Sequence, residues 1–181
     1  MLQIVKKFNL STDKETRHQY LSLCYEKIFL EFKLKEINIL EIGILRGHSL
    51  ILWHEFFPLA SIYGIDNKVN LDVEYIKSFK RIKKVRIADA YLKSSLDGFP
   101  NFDIVIDDGS HYLNDQIKFI CNLLPKLNNN GIMVIEDIRG SKEVLALLDL
   151  AKNLKLETTL FDLRLETKND DSIILVCKKL I

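Results

Sequence analysis

The chain has 181 residues, of which 48% are hydrophobic and 28% are charged. This length is usual for one domain and leaves no room for a second domain of ordinary size. The composition is that of a chain that buries a core, which excludes an intrinsically disordered protein. Twenty-six basic and twenty-five acidic side chains give a net charge of +1, whereas nucleic-acid-binding domains usually carry a clear basic excess. We therefore do not expect nucleic acid as a partner.

The cysteines and the apolar runs indicate a cytoplasmic protein. Cys24, Cys121 and Cys177 are far apart and odd in number, so they form neither a disulfide framework nor a metal-binding knuckle. Free thiols of this kind are typical of a reducing cytoplasm. The N-terminal residues contain no apolar core followed by a cleavage site, so no signal peptide is expected. The apolar runs are short and interrupted by charges, which predicts no membrane contact.

The first predicted element is an amphipathic helix over residues 13–32. Thr12 and Glu15 have the spacing of a capping box, in which a hydroxyl and a carboxylate bind free N–H groups of the first turn. A four-residue repeat gives this helix an apolar stripe of Tyr20, Cys24, Ile28 and Phe32. We expect the helix to form an N-terminal cap over residues 1–35, in a single domain whose core spans residues 36–181.

Beyond the cap, β-branched runs alternate with amphipathic stretches. The runs predict strands at 37–42, 61–66, 83–89, 102–107 and 131–137. The stretches between them predict helices around 48–57, 71–80, 112–127 and 141–153. Two further runs, 158–165 and 172–179, are separated by a short polar segment and predict an antiparallel hairpin. The pattern indicates an α/β, Rossmann-like fold with five parallel strands, this C-terminal antiparallel hairpin, and helices on both faces of the sheet.

The turn after the first predicted strand has the residues of a nucleoside site. Gly43 allows a tight turn, and Gly47 lets a ligand approach the start of the next helix, whose free N–H groups attract a carboxylate. Asp66 ends the next strand, where a carboxylate can bind ribose hydroxyls. A dinucleotide fingerprint would need glycines in place of Leu45 and His48. S-adenosylmethionine (SAM), which has no phosphate, is therefore favoured over NAD, and a turn without a ligand is the other interpretation.

Further candidate residues surround this turn. Asp89 is the last residue of the third predicted strand, where it could bind the adenine amino group or could cap the helix that follows. Together the candidate cofactor-binding residues are Glu41, Gly43, Arg46, Gly47, Ser49, Asp66, Asp89 and Asp107.

Acidic residues close the fourth and fifth predicted strands. Asp107 and Asp108 lie in an Asp-Asp-Gly-Ser-His segment, and Glu136 and Asp137 follow the next strand. Both ends meet at the carboxyl edge of a parallel sheet, where such carboxylates repel one another unless a cation or protons join them. Oxygen ligands suit Mg²⁺, with Mn²⁺ or Ca²⁺ as alternatives. His111, three residues after Asp108, has the usual pKa of a general base near neutral pH. Helix caps and a structural histidine are the competing interpretation.

Four blocks of the chain resemble the metal-dependent sugar O-methyltransferases of macrolide biosynthesis, of the mycinamicin and tetracenomycin-rhamnose type. The blocks are 12–29, 40–68, 102–117 and 131–138. The resemblance implies the class I methyltransferase sheet, SAM and Mg²⁺ as cofactors, and methyl transfer to a hydroxyl of a sugar or a glycosylated small molecule.

The resemblance also implies roles for individual residues. Asp108, Glu136 and Asp137 would bind Mg²⁺, and His111 would act as the catalytic base beside Asp108. Three side chains of the first block could close over the cofactor or the substrate: His18, Tyr20 and Tyr25.

Two segments depart from the family pattern, the first at the adenine contact of the cofactor and the second on the substrate side. The chain has Ala88-Asp89-Ala90 where the family commonly has Gly-Asp-Gln, and Arg139-Gly140-Ser141 where the family often has Thr-Ser-Tyr. The sequence therefore allows either a small molecule or a glycan as the methyl acceptor. A nucleotide-dependent oxidoreductase and a non-catalytic SAM-binding protein remain as alternatives, and a homo-oligomer is possible.

Overall fold

The computed structural model describes residues 1–68, 75–76 and 78–180. The strands within these residues are β1 (Asn38–Ile42), β2 (Ser61–Asp66), β3 (Ile82–Ile87), β4 (Phe102–Asp107), β5 (Leu127–Ile135), β6 (Glu157–Asp162) and β7 (Ile173–Lys178). They form one sheet in the order β3-β2-β1-β4-β5-β7-β6. Strands β1 to β5 are parallel to one another, whereas β7 is antiparallel to both β5 and β6. The predicted Rossmann-like sheet with its C-terminal antiparallel hairpin is confirmed.

Helices cover both faces of this sheet. The α-helices whose bounds lie within the described residues are α1 (Leu2–Phe8), α2 (Asp13–Thr16), α3 (Glu26–Phe29), α4 (His48–Phe56), α5 (Leu113–Leu123), α6 (Ser141–Asn153) and α7 (Arg164–Thr167). Because strand side chains alternate between faces, Ile39 of β1 packs in a core cluster with the N-terminal segment and α4. Its neighbour Leu40 packs in a second cluster with α5 and α6. The prediction of helices on both faces is confirmed.

The register of the central strands places the residues that follow them side by side. Ile42 at the end of β1 pairs with Asp107 at the end of β4, and Asp107 pairs with Ile135 at the end of β5. The backbone ladder continues one step beyond, since Asp108 N–H donates to the Ile42 carbonyl and Glu136 N–H donates to the Asp107 carbonyl. The residues after β1, β4 and β5 therefore emerge together at the carboxyl edge of the sheet.

The prediction of one helix over residues 13–32 is wrong. α2 ends at Thr16, and Gln19 has a φ of 52° in the left-handed region. A π-helical turn at Leu21–Tyr25, then α3 and a 3₁₀ turn at Leu30–Phe32, complete the segment. The capping box does not form either, because the Glu15 carboxylate accepts hydrogen bonds from the backbone N–H and the hydroxyl of Ser22 instead. That contact links α2 to the π-helical turn across the interruption of the helix at Gln19.

The other elements differ from prediction mainly at their ends. β5 begins at Leu127, upstream of the predicted residue 131, and β6 ends at Asp162 because the short helix α7 follows it. β3 ends at Ile87, so Asp89 lies in the connection beyond the strand. The helix predicted around 71–80 falls largely outside the described residues. Within the described ranges, none of the helices combines the length and the apolar character that crossing a membrane requires.

Candidate active site

A cavity of about 460 Å³ opens at the carboxyl edge of the sheet. Seven of its lining residues belong to the sets predicted from the sequence: Gly43, Arg46, Ser49, Asp66, Asp89, Asp108 and His111. The other predicted residues, Glu41, Gly47, Asp107, Glu136 and Asp137, do not line it. Four of these five side chains are acids that lie buried just beneath the cavity.

The turn between β1 and α4 has the strained backbone that its glycines predicted. Gly43 has a φ of 79° and donates its N–H to the Ile65 carbonyl of β2. A Cβ at this position would lie 1.8 Å from the Asp108 carbonyl oxygen, so only glycine fits between the ends of β1 and β4. Gly47, at a φ of 78°, is the N-cap residue of α4. The turn therefore depends on both glycines for its shape.

Asp66 holds this turn in place. Its Oδ2 accepts hydrogen bonds from the backbone N–H groups of Ile44 and Leu45, each at 2.8 Å, and its Oδ1 accepts one from Lys68 N–H at 2.9 Å. The sequence predicted a ribose contact for Asp66, but not this role in the turn. Three backbone donors fix the carboxylate at the cavity wall, where its remaining lone pairs can face a ligand.

Asp107 and Asp89 are linked through Tyr91, which the sequence analysis did not single out. The Tyr91 hydroxyl donates to Asp107 Oδ1 at 2.8 Å and accepts a hydrogen bond from Ser110 N–H at 2.9 Å. Asp89 accepts the N–H of Tyr91 at 2.9 Å, which makes it part of a local turn rather than a helix cap. Burial raises the pKa of Asp107 to about 7. Tyr91 thus connects the wall of the cavity to the loop that carries His111.

The acid cluster contains a lysine that the sequence analysis missed. Lys14 Nζ lies 2.6 Å from Asp108 Oδ2, 2.6 Å from Glu136 Oε1 and 3.3 Å from Glu41 Oε1. Only 1% of the Lys14 side chain is exposed. Burial opposes its charged form, but the attraction of the three carboxylates raises the pKa of Lys14 well above its ordinary value. Lys14 is therefore a buried ammonium ion that offsets part of the acid charge.

The buried carboxylates keep a strong tendency to bind protons despite this lysine. Burial raises the pKa of Glu136 to about 8, and it raises the pKa of Glu41 and of Asp108 in the same direction. Glu41 also accepts a hydrogen bond from Ser49 Oγ at 2.5 Å, which attaches the base of the cluster to α4. If fully ionised, these carboxylates would carry more negative charge than Lys14 alone neutralises, so the site favours bound protons or a further cation.

Asp137 faces the other side of the cluster. It has a φ of 53°, and its Oδ1 accepts a hydrogen bond from the Tyr20 hydroxyl at 2.6 Å. Its Oδ2 lies 3.5 Å from His18 Nε2 and 3.9 Å from His111 Nε2. Tyr25 donates to Glu136 in a similar way. The three N-terminal side chains His18, Tyr20 and Tyr25 are thus buried against the acids, and none of them lines the cavity.

His111 is placed where a base could meet a substrate. The side chain lines the cavity and is 27% exposed, and the residue has a φ of 57° in the left-handed region. Burial lowers its pKa, which outweighs the opposing effect of Asp137. His111 is therefore neutral near pH 7 and can accept a proton.

The acid cluster offers two groups of candidate metal ligands. One consists of Asp108, His111 and Asp137, the other of Glu41, Asp108 and Glu136, and within each group the ligand atoms lie within 4.8 Å of one another. The predicted set of Asp108, Glu136 and Asp137 is divided between these groups. Carboxylate oxygens suit a hard divalent cation, and the surplus of buried acid charge is consistent with one. The donor chemistry thus fits Mg²⁺, although Lys14 already contacts the second group.

The known proteins that the sequence resembles are methyltransferases. A family model described as a methyltransferase domain matches residues 40–138. The chain is 32% identical over 143 residues to 8-demethyl-8-alpha-L-rhamnosyl tetracenomycin-C 2'-O-methyltransferase of Streptomyces olivaceus, covering 72% of this chain and 36% of that protein. It is 31% identical over 122 residues to mycinamicin VI 2''-O-methyltransferase of Micromonospora griseorubida, covering 63% of this chain and 30% of that protein. The resemblance noted from the sequence is confirmed, and the chain spans about a third of the length of these relatives.

A solved structure extends the comparison to the fold. The MycE methyltransferase from the mycinamycin biosynthetic pathway, in complex with Mg and SAH, superposes with a TM-score of 0.72 at 21% identity. The match covers 98% of this chain and 54% of that one. At this identity the likeness shows that the two chains share a fold.

Proposed function

Because the chain belongs to the methyltransferase domain family, whose model matches residues 40–138, we propose that it transfers a methyl group from SAM to a hydroxyl. The acceptor is a sugar or a glycosylated small molecule, as in the names of its relatives. One observation carries the proposal: a glycine turn suited to a nucleoside and a neutral histidine beside an acid cluster line one cavity.

SAM would bind at the β1–β2 end of this cavity. The turn from Gly43 to Gly47 leaves backbone N–H groups at the start of α4 free for the carboxylate of the amino acid part. Asp66 stands at the end of β2, within reach of ribose hydroxyls. Arg46, Ser49 and Asp89 also line this end of the cavity. Glu41 and Asp107 would act from beneath the surface, by holding Ser49 and Tyr91 in place.

The acceptor would bind at the β4–β5 end of the cavity. SAM, when bound, would supply the methyl group, and Asp108, Glu136 and Asp137 would hold the Mg²⁺, whose charge would favour loss of the acceptor hydroxyl proton. His111 accepts the hydroxyl proton on its imidazole, which is free to do so because the ring is neutral. Asp137, 3.9 Å from His111 Nε2, favours the imidazolium form after that step. The protein thus contributes alignment, a proton acceptor and a stabilising charge.

The proposal can be tested by measuring the release of S-adenosylhomocysteine. The purified chain is incubated with SAM, Mg²⁺ and rhamnosylated tetracenomycin, with methyl α-L-rhamnoside as a simpler probe. We expect product only when an acceptor is present, loss of product after metal removal with EDTA, and recovery when Mg²⁺ is added back. Undiminished turnover in EDTA would contradict the metal requirement, and a failure to bind SAM in calorimetry would overturn the whole assignment.

A further inference from the structure

Lys14 reaches the acid cluster from far away in the sequence. Its two shortest contacts, to Asp108 and Glu136, join residues 94 and 122 positions apart. The third carboxylate in contact with its Nζ is that of Glu41. Lys14 therefore donates hydrogen bonds to two carboxylates and forms an ion pair with a third, at 3.3 Å.

The backbone around Lys14 is fixed as firmly as its side chain. Ser11 N–H donates to His48 Nδ1 at 2.7 Å, which ties the segment to the start of α4. Lys14 lies in α2, which begins at Asp13, and the Thr16 hydroxyl donates to the Thr12 carbonyl across the same helix. The backbone that carries Lys14 is therefore held beside the acid cluster by hydrogen bonds of its own.

The two groups of acids differ in their access to solvent. Glu41, Glu136 and Lys14 are at most 1% exposed, whereas the side chains of Asp108 and His111 are 16% and 27% exposed. A cation that enters from the cavity therefore meets Asp108 and His111, which line it together with Lys14, before it can reach the buried Glu41 and Glu136. The ammonium of Lys14 repels it from the deeper side. Displacing Lys14 would leave a buried charge without its partners, whereas an ion bound on the side of Asp108 and His111 leaves the buried ion pairs of Lys14 intact.

We propose that Lys14 is a resident cation of the active site, a positioning residue that stays in place when a divalent ion binds. It holds one oxygen of Asp108 and one of Glu136, which leaves the other oxygen of each for the ion. It also keeps the ion out of the space enclosed by Glu41, Asp108 and Glu136. This inference rests on the proposed function, because it concerns the same metal site.

The first test probes Lys14 in the wild-type chain by chemical labelling. The protein is treated with acetic anhydride in the absence and in the presence of Mn²⁺, and each lysine is quantified by mass spectrometry. We expect Lys14 to remain unlabelled in both samples, while the exposed Lys142 and Lys152 react equally in both. If Mn²⁺ made Lys14 reactive, the lysine would be a competitor that the ion displaces, and the inference would be overturned.

The second test counts ions in the Lys14→Met variant by calorimetry with Mn²⁺. Lys152→Met, which removes an exposed lysine of α6, is the matched control. We expect Lys14→Met to bind one more ion than the wild type and the control, because the deeper group of acids becomes available. An unchanged ion count, as for a lysine with only a structural role, would overturn the inference.

The two tests separate this inference from the proposed function. If the wild type binds no Mn²⁺, the metal requirement of the proposed reaction fails. In that case an ion gained by Lys14→Met still supports the role of Lys14, and no gain overturns it. If Lys14→Met does not fold, judged by circular dichroism, labelling of the wild type decides.

Discussion

The two ends of the cavity are built in different ways. At the turn end, formed by residues 43–47 and Asp66, the shape of the cavity wall is determined mainly by backbone geometry. Gly43 supplies the positive φ, and the Asp66 carboxylate binds N–H groups only 21 and 22 residues away. At the acid end, formed by Asp108, His111, Glu136 and Asp137 with Lys14, charged side chains meet from segments as far as 122 residues apart.

This difference separates what each end can do. The turn end presents backbone N–H donors that local hydrogen bonds already hold in position. Little further ordering is therefore needed when a ligand binds. At the acid end, burial, with repulsion from Asp137 as a smaller cause, raises the pKa of Glu136 to about 8. We therefore expect substitutions at the turn end to act on SAM binding, and substitutions at the acid end to act on turnover.

The His111→Ala substitution should have the largest effect and should spare SAM binding. Loss of a general base typically lowers turnover by about 10²- to 10⁴-fold. Because His111 belongs to the acid end, calorimetry should give an unchanged affinity for SAM. His54→Ala is the matched control, since His54 pairs with Glu55 and does not line the cavity. Equal turnover of the two variants would exclude His111 as the base.

Gly43→Ala should damage both ends of the cavity, because Gly43 lies where they meet. The new Cβ would lie 1.8 Å from the Asp108 carbonyl oxygen, at a φ of 79°. We expect a loss of about 3 kcal/mol in the free energy of unfolding. Gly98→Ala is the control, because Gly98 also has a positive φ, of 71°, but its nearest neighbour would be 3.7 Å away. The positive φ of Gly98 alone should cost its alanine variant about 1 kcal/mol. If urea unfolding showed similar losses of stability for Gly43→Ala and Gly98→Ala, the steric argument would be contradicted.

The local motifs of the site could be predicted from the sequence. A glycine turn after an apolar strand and an acid at the end of the next strand depend on backbone rules within one crossover. The acids after β4 and β5 were predicted to meet because parallel strands end at one edge, and the structure brings Asp108 and Glu136 to the same lysine. Strand periodicity and edge geometry were sufficient for these features.

The N-terminal segment could not be predicted in this way. Its apolar repeat favoured one long helix, but buried polar contacts of Lys14, Tyr20 and Tyr25 with the acids override that local preference. These contacts form only when the sheet is assembled, so no periodicity within residues 13–32 shows them. A lysine in a helical stretch is usually exposed, and nothing in its immediate neighbours marks Lys14 as an exception.

The pH dependence of stability should show the cost of burying the Asp107 carboxylate, which lies beneath the cavity. Burial raises the pKa of Asp107 to about 7, above its ordinary value, so the folded state binds this proton more tightly than the unfolded state does. Stability from this group is therefore greatest at low pH and is lost as pH rises towards 7.

Asp107→Asn should remove this contribution, because an amide carries no charge at any pH. Between pH 5 and pH 7 the wild type should lose about 2 kcal/mol more stability than the variant, since each unit of pKa difference corresponds to about 1.4 kcal/mol. Urea unfolding in EDTA without SAM measures both curves, with the exposed Asp149→Asn as the control. Parallel curves for wild type and Asp107→Asn would show that Asp107 does not titrate in this range.

The smallest effect is expected from a pair of substitutions at the turn end, Asp66→Asn and Asp89→Asn. Both oxygens of Asp66 accept backbone N–H groups, so an asparagine amide must point its own N–H at one of these donors. Among the residues that the structure describes, the Asp89 carboxylate accepts a hydrogen bond only from the N–H of Tyr91, and an amide oxygen can accept that bond equally well. We expect Asp66→Asn to weaken SAM binding about tenfold, or about 1.4 kcal/mol, and Asp89→Asn to leave it nearly unchanged. If calorimetry shows the opposite order, Asp89 contacts the cofactor directly, and the turn end depends on side-chain recognition as much as the acid end does.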